Sequence, residues 1–180
     1  MPGILWTLGE DTQMIVVLMG VSGSGKTTIG TLFAKRSCAT FADADDYHPS
    51  ANKQKMTAGH PLTDEDRQPW LEQLNALLQQ WFRFSQSGVL ACSALKQQYR
   101  ETLSAGKPQG TVSFRLLEAS RELLAHRLEE RHHEFMSPNL LDSQLVTFET
   151  PKDAWVVKND RTPDEVVSEI LDLIVSNHHS

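Results

Sequence analysis

The sequence predicts an α/β domain, a five-stranded parallel sheet between helical layers. Three observations carry that expectation. Residues 14–19 (MIVVLM) form an unbroken apolar run, as a central strand covered on both faces requires. Strand-like and helix-period segments alternate along the rest of the chain. The last helical segment opens with Thr162-Pro163-Asp164-Glu165, a capping box with proline at the first helical position. With 180 residues, 39% hydrophobic and 22% charged, the chain can bury a core without disulfides or structural metal.

The elements follow in order. Residues 1–13 have no clear period and read as a flexible N-terminal extension, leaving one domain over 14–176 and a short tail over 177–180. After the first strand the composition turns helical over 26–37, and 39–42 (ATFA) gives a second short strand. Ser50 is placed to cap a short helix ending at Gly59. Trp70, Leu74, Leu77, Leu78 and Trp81 fall at helical spacing within a long amphipathic segment from about 66 to 85. Residues 88–92 (GVLAC) read as a buried strand, 95–104 as a helix, 111–117 as a strand and 121–131 as a helix. A polar break at 132–137 precedes a helix over 139–149, and 154–158 (AWVVK) supplies the fifth strand.

Composition narrows the class of function. The net charge of −6 excludes the broad basic footprint that duplex DNA or anionic membranes attract, so neither is an expected partner. No apolar run is long enough to span a bilayer, and residues 1–25 carry no Lys or Arg to open a secretory signal. Two cysteines, Cys38 and Cys92, make no disulfide framework or metal-ligand spacing, which suits a reducing, cytoplasmic compartment.

Residues 20–27 (GVSGSGKT) fit the phosphate-loop pattern GxxxxGK[ST], with an apolar strand before and a helix after. Glycines 20, 23 and 25 let the backbone curl so that successive N–H groups face a phosphate, and the next helix adds its positive end. The expected ATP-binding set is Gly20, Val21, Ser22, Gly23, Ser24, Gly25, Lys26, Thr27 and Thr28. Lys26 reaches the β/γ-phosphates and the Thr27 hydroxyl suits Mg²⁺. A GTPase base-reading NKxD is absent, since 158–160 reads KND, and the strand over 89–92 ends in Ser93 rather than a metal-binding Asp. A compact kinase for a small acceptor fits what remains.

On the acceptor side, 41–49 (FADADDYHP) puts Asp43 and Asp45 two apart just past a strand, where period-2 spacing predicts both carboxylates on one side. That side is the crevice at the strand C-termini, where the phosphate loop also opens. One carboxylate can hold a water on Mg²⁺ and the other can take the proton of the attacking hydroxyl.

At these residues the chain resembles a gluconokinase of the P-loop type, related to shikimate kinase and the nucleoside-monophosphate kinases. The resemblance rests on GVSGSGKT (20–27), DADDYHP (43–49), Asn52-Lys53, Lys55-Met56, Gly59 and Pro61-Leu62. It continues through Asp64, Asp66-Arg67, Pro69-Trp70-Leu71, CSALK (92–96) with Tyr99-Arg100, and finally Phe135-Met136, Leu140-Leu141 and Ser143-Gln144. It implies transfer of the γ-phosphoryl of ATP, with Mg²⁺, to the terminal hydroxyl of D-gluconate, giving 6-phosphogluconate. It also implies a nucleoside-monophosphate-kinase-like fold with a lid over about 127–140, and a homodimer. By position, Asp45 becomes the acceptor-hydroxyl base and Asp43 its Mg²⁺-side partner acting through water. His48, Arg67, Lys96 and Arg100 become candidates for the gluconate carboxylate and hydroxyls; a planar Arg fork favours Arg67 and Arg100 over Lys96 on chemistry.

Arg127 and Arg131 lie four apart on one helix face, and in the resembling family such arginines approach the ATP phosphates as the lid closes. Here the chain departs from the family: His133-Glu134-Phe135-Met136 replaces a Gly-His-Phe-Met run, exchanging a glycine hinge and adding a carboxylate. Two rival readings follow, a kinase for another small polyol acid or for shikimate, and a nucleotide-binding regulator with a weakened lid. Lys158 to Arg161 is the expected adenine-side loop, while Trp70, Trp81, Phe82 and Phe84 are expected in helix packing and Cys92 as a small apolar filler.

Overall fold

The computed structural model describes residues 13–130, 138–152 and 154–177, so the expected lead-in before Gln13, the lid segment 131–137 and the tail beyond Asn177 lie outside it. Five parallel strands form one sheet in the order β2-β3-β1-β4-β5: β1 (Ile15–Met19), β2 (Thr40–Asp43), β3 (Gly88–Ala91), β4 (Val112–Glu118) and β5 (Trp155–Lys158). Among the described residues the α-helices are α1 (Lys26–Ser37), α2 (Ser50–Thr57), α3 (Asp64–Arg83), α4 (Gln97–Ser104), α5 (Arg121–Glu130), α6 (Pro138–Thr147) and α7 (Pro163–Asn177). Among the described residues, no helix is long and apolar enough to cross a membrane.

The apolar run of β1 has its physical reason in the sheet's two covered faces. Ile15, Val17 and Met19 pack with Trp70, Leu74, Leu78 and Leu103 of α3 and α4. Val16 and Leu18 face the other way, onto Ile29 and Phe33 of α1 and Val166 and Ile170 of α7. Alternation along a strand thus needs no polar side here. The register aligns Leu18 of β1 and Asp43 of β2 with the same residue, Ala91 of β3. The loops that leave β1, β2 and β3 therefore open side by side at one edge of the sheet.

Helix ends explain where the sequence reading drifted. Ser50 does not cap α2; Pro49 occupies the cap position and makes no side-chain cap bond, and Ser50 is the first helical residue. The long helix begins at Asp64 because Thr63 and Asp66 form a reciprocal capping box, with the Thr63 N–H donating to Asp66 Oδ2 at 2.7 Å and the Asp66 N–H to Thr63 Oγ1 at 3.2 Å. Helix α4 begins two residues later than expected, since Ala94 takes a positive φ of 45° and Lys96 is extended. The box that opens α7 forms as its residues suggest, with the Thr162 N–H donating to Glu165 Oε2 at 3.0 Å. Gln13, assigned to the lead-in, is fixed by its side-chain amide, which donates to Trp81 O at 2.7 Å.

Gly88 starts β3 under the Trp81 ring, and a Cβ there would sit 2.3–2.6 Å from three ring atoms. The backbone cannot retreat, being paired to Ile15 on one side and Thr40 on the other, and Trp81 is only 2% exposed. Gly88→Ala is therefore expected to lower the unfolding free energy by about 1–3 kcal/mol in urea titration, the cost of overpacking a closed core. A loss below about 0.5 kcal/mol would show that the Trp81 ring yields.

Candidate active site

The phosphate loop is held in its curl by close contacts. Gly20 (φ 143°), Gly23 (φ 81°) and Gly25 (φ 91°) all have positive φ, a region costly for side chains other than glycine. A Cβ at Gly20 would lie 2.7 Å from Ser24 Oγ, and one at Gly25 would lie 2.3 Å from Asn159 Nδ2. Asn159, 4% exposed after β5, donates from Nδ2 to Ser24 O at 2.7 Å, so the loop expected on the adenine side also fixes the phosphate loop. Val21, Ser22 and Ser24 are buried, and Thr28 faces solvent in the first turn of α1. The Lys26 ammonium donates to the carbonyls of Gly20 (3.0 Å) and Val21 (3.2 Å).

On the acceptor side the structure corrects the geometry expected for the two carboxylates. Asp43 ends β2, but Asp45 lies in a 3-10 turn over Ala44–Tyr47, so strand alternation does not place it. Asp43 organises both neighbours instead: Oδ1 accepts from the Asp45 N–H at 3.0 Å, and Oδ2 accepts from the Thr27 hydroxyl at 2.7 Å. The Asp45 side chain remains 83% exposed in an open cleft. Its carboxyl is pushed up, first by the surrounding protein's desolvation and then by the Asp43 charge, against the pull of Lys26.

His48 is not a cation. Its ring stacks on Trp70 with centroids 4.2 Å apart, and its side chain is 7% exposed. Burial, with Arg67 and Lys53 nearby, brings its pKa down to about 4. Nε2 lies 4.0 Å from Asp45 Oδ1, while Nδ1 is buried without a hydrogen-bond partner among the described residues. Lys96 binds Asp64 through both carboxylate oxygens, at 2.8 and 2.7 Å. Tyr99 and Gln98 also donate to Asp64, and the Lys96 bond is the first cause that draws the Asp64 carboxyl down to about 2. Arg67 Nη1 donates to Leu62 O at 2.7 Å, and its guanidinium lies 5.7 Å from the Tyr99 ring centroid.

Arg100 is placed differently from the other substrate candidates. It is 5% exposed, and its donors go to Ala94 O (2.9 Å), Leu95 O (3.3 Å) and Gln97 Oε1 (2.9 Å). Its fork clamps the loop carrying Lys96 rather than standing open to a ligand. Arg127 joins the phosphate side, donating to Asn159 O at 2.8 Å and Gly23 O at 3.5 Å. Arg131, His133, Glu134, Phe135 and Met136 lie outside the described residues. Cys92 is buried and its thiol is pushed up to about 12, in keeping with a filler. Sequence reasoning missed Asp64 and Tyr99 as the centre of a polar cluster and Gln144 as a partner of the phosphate loop, donor and acceptor roles that no local spacing announces.

The buried imidazole makes stability depend on pH. An unfolded histidine takes a proton near pH 6.5, whereas His48 stays neutral down to about 4. The unfolded chain thus binds more protons between these values, so stability falls as pH drops from about 6.5 toward about 4. Asp64 and Asp66, both lowered to about 2, act below that window, and the raised Asp45 has the opposite slope. Urea titrations of wild type and His48→Phe at pH 7 and pH 5 should show a steeper loss for wild type; parallel losses would contradict the assignment.

Comparison with known proteins identifies relatives of the chain. The family model described as Shikimate kinase matches residues 22–175. The chain is 39% identical over 176 residues to a probable gluconokinase of Dictyostelium discoideum, covering 92% of this chain and 88% of that one. It is 41% identical over 170 residues to a gluconokinase of Gluconobacter oxydans, covering 90% and 94%. A crystal structure of a gluconokinase from Sinorhizobium meliloti superposes with a TM-score of 0.80 at 36% identity, covering 92% of this chain and 95% of that one. Shikimate kinase from Aquifex aeolicus shares the fold, with a TM-score of 0.61 at 19% identity over 93% of this chain and 99% of that one. The chain belongs to the shikimate kinase family of P-loop kinases and, within it, to the gluconokinases.

Proposed function

We infer that this protein transfers the γ-phosphoryl group of ATP to the terminal hydroxyl of D-gluconate, forming 6-phospho-D-gluconate. The observation that supports the reading most directly is the 2.7 Å bond from Thr27 to Asp43, which joins the phosphate loop to the acceptor strand. It brings the carboxylate pair within the field of Lys26, the arrangement an in-line phosphoryl transfer needs.

Lys26 and the loop amides stabilise charge on the transferring group. Thr27 and Asp43 offer hard oxygens suited to Mg²⁺, which when bound neutralises phosphate charge. Asp45, whose carboxyl pKa is raised by desolvation and the neighbouring Asp43 charge, orients the acceptor hydroxyl and takes its proton. Arg67 is the stronger candidate for the gluconate carboxylate, because Nη2 and Nε have no protein acceptor among the described residues. Lys96, held by Asp64, and neutral His48 suit hydroxyls of the polyol chain, while Arg100 shapes the loop beneath them. Arg127, with Arg131 by resemblance, serves the phosphate side. Free Cys38 and Cys92 support a reducing, cytoplasmic setting.

The test is ADP release measured across gluconate, other sugar acids, shikimate and nucleoside monophosphates. Gluconate should give the highest kcat/KM, and Lys26→Ala should lower it at least about a hundredfold, as loss of an oxyanion donor does. Preference for another acceptor would replace the substrate, and near-normal turnover by Lys26→Ala would remove the phosphate loop from the chemistry.

A further inference from the structure

The segment that follows the lid makes contacts that the reaction described above does not use. From α6, Gln144 Oε1 accepts the Ser22 N–H of the phosphate loop at 2.7 Å. Five residues on, Glu149 Oε2 accepts the N–H of Gln97, the first residue of α4, at 2.7 Å, and the Glu149 N–H donates to Leu95 O at 2.8 Å. Helix α4 has no side-chain cap from its own cap residue, Lys96, so Glu149 supplies the missing acceptor from a distant part of the chain. One short segment thus holds the loop that binds ATP and the loop that carries Lys96.

Apolar packing ties the same parts together. Leu141 of α6 clusters with Val21 of the phosphate loop, Leu95 beside Lys96 and Leu124 of α5, the helix that leads into the lid. Phe148 packs against both this cluster and the main core under α3 and α4. Neither loop can shift alone without opening this small cluster, since Val21, Leu95, Leu124 and Leu141 are all buried.

We propose that Gln144 and Glu149 are positioning residues, and that the segment from α6 to Glu149 is a brace through which ATP and gluconate tighten each other's binding. The proposal rests on the gluconokinase reading above. Ordering Ser22 by a bound nucleotide orders Gln144 and, through Leu141 and Glu149, the acceptor loop. Gluconate held beside Lys96 sends the same constraint back, as linkage requires.

The test is the dissociation constant of the β,γ-imido analogue of ATP, with Mg²⁺, measured with and without saturating gluconate. In wild type, gluconate should tighten the analogue at least about fivefold, the lower end of ordinary coupling. Gln144→Met and Glu149→Met should each reduce that ratio below about twofold, while Glu149→Gln, which keeps an oxygen for the Gln97 N–H, should retain it. Gln144 is half-buried and Glu149 exposed, so the variants should fold, and thermal unfolding of each checks this. A wild-type ratio near one, or an unchanged ratio in both Met variants, would overturn the brace. Tighter analogue binding by Gln144→Met would also overturn it, making Gln144 a competitor for the loop amide. Gluconate-dependent ADP release by the same wild-type preparation separates the two readings: its absence defeats the substrate, and its presence with an unchanged ratio defeats only the brace.

Discussion

The site depends on a backbone loop that must stay curled around a space meant for phosphate. Three glycines at positive φ make the curl affordable, but freedom alone would leave the loop loose. It is closed from outside by Asn159 on Ser24 O, Arg127 on Gly23 O and Gln144 on the Ser22 N–H. Each holding residue comes from the C-terminal half of the chain, so the phosphate loop is shaped by elements more than 100 residues away. The parallel sheet makes this feasible, because β1 lies between β3 and β4 and every neighbouring loop opens at the same edge.

The acceptor side is organised by charges that satisfy each other before a substrate arrives. Asp64 gathers Lys96, Tyr99 and Gln98, and Asp66 pairs with Lys55 while completing a helix cap. Both carboxylates sit at the start of α3, where the helix dipole also favours negative charge. Asp45, whose carboxyl is raised, stays exposed, and Nε and Nη2 of Arg67 have no protein acceptor among the described residues. A base and a carboxylate fork left available beside a satisfied network suit a small polyol acid better than a large ligand.

Much of this was legible in the sequence. The order of strands and helices followed from apolar runs and their spacing, and the phosphate loop from its glycines and lysine. Thr27 and Asp43 were readable as neighbours at the mouth of the sheet, because both lie at fixed offsets from their strands, and a 2.7 Å bond joins them. The position of Asp45 was not, since a 3-10 turn begins directly after Asp43, held by the Asp43 side chain and by the distant Trp70 Nε1, which donates to Ala44 O. Arg100 looked equal to Arg67 in chemistry, yet its burial beneath Ala94 and Leu95 depends on a positive φ at a non-glycine residue that no local pattern signals. The burial that lowers the His48 pKa likewise involves Trp70, which lies 22 positions on in α3 and stacks on its ring, while Arg67 and Lys53 add to the shift.

The account stands most directly on the carboxylate of Asp45 as acceptor of the hydroxyl proton. Asp45→Asn keeps the shape of the side chain and its N–H bond to Asp43 while removing the base. Single-turnover phosphoryl transfer by this variant should slow by at least about a hundredfold, the usual range for a lost general base. Equilibrium binding of the ATP analogue and of gluconate should change less than about threefold. Transfer at a rate close to wild type would contradict the account, because the proton would then leave the hydroxyl without Asp45.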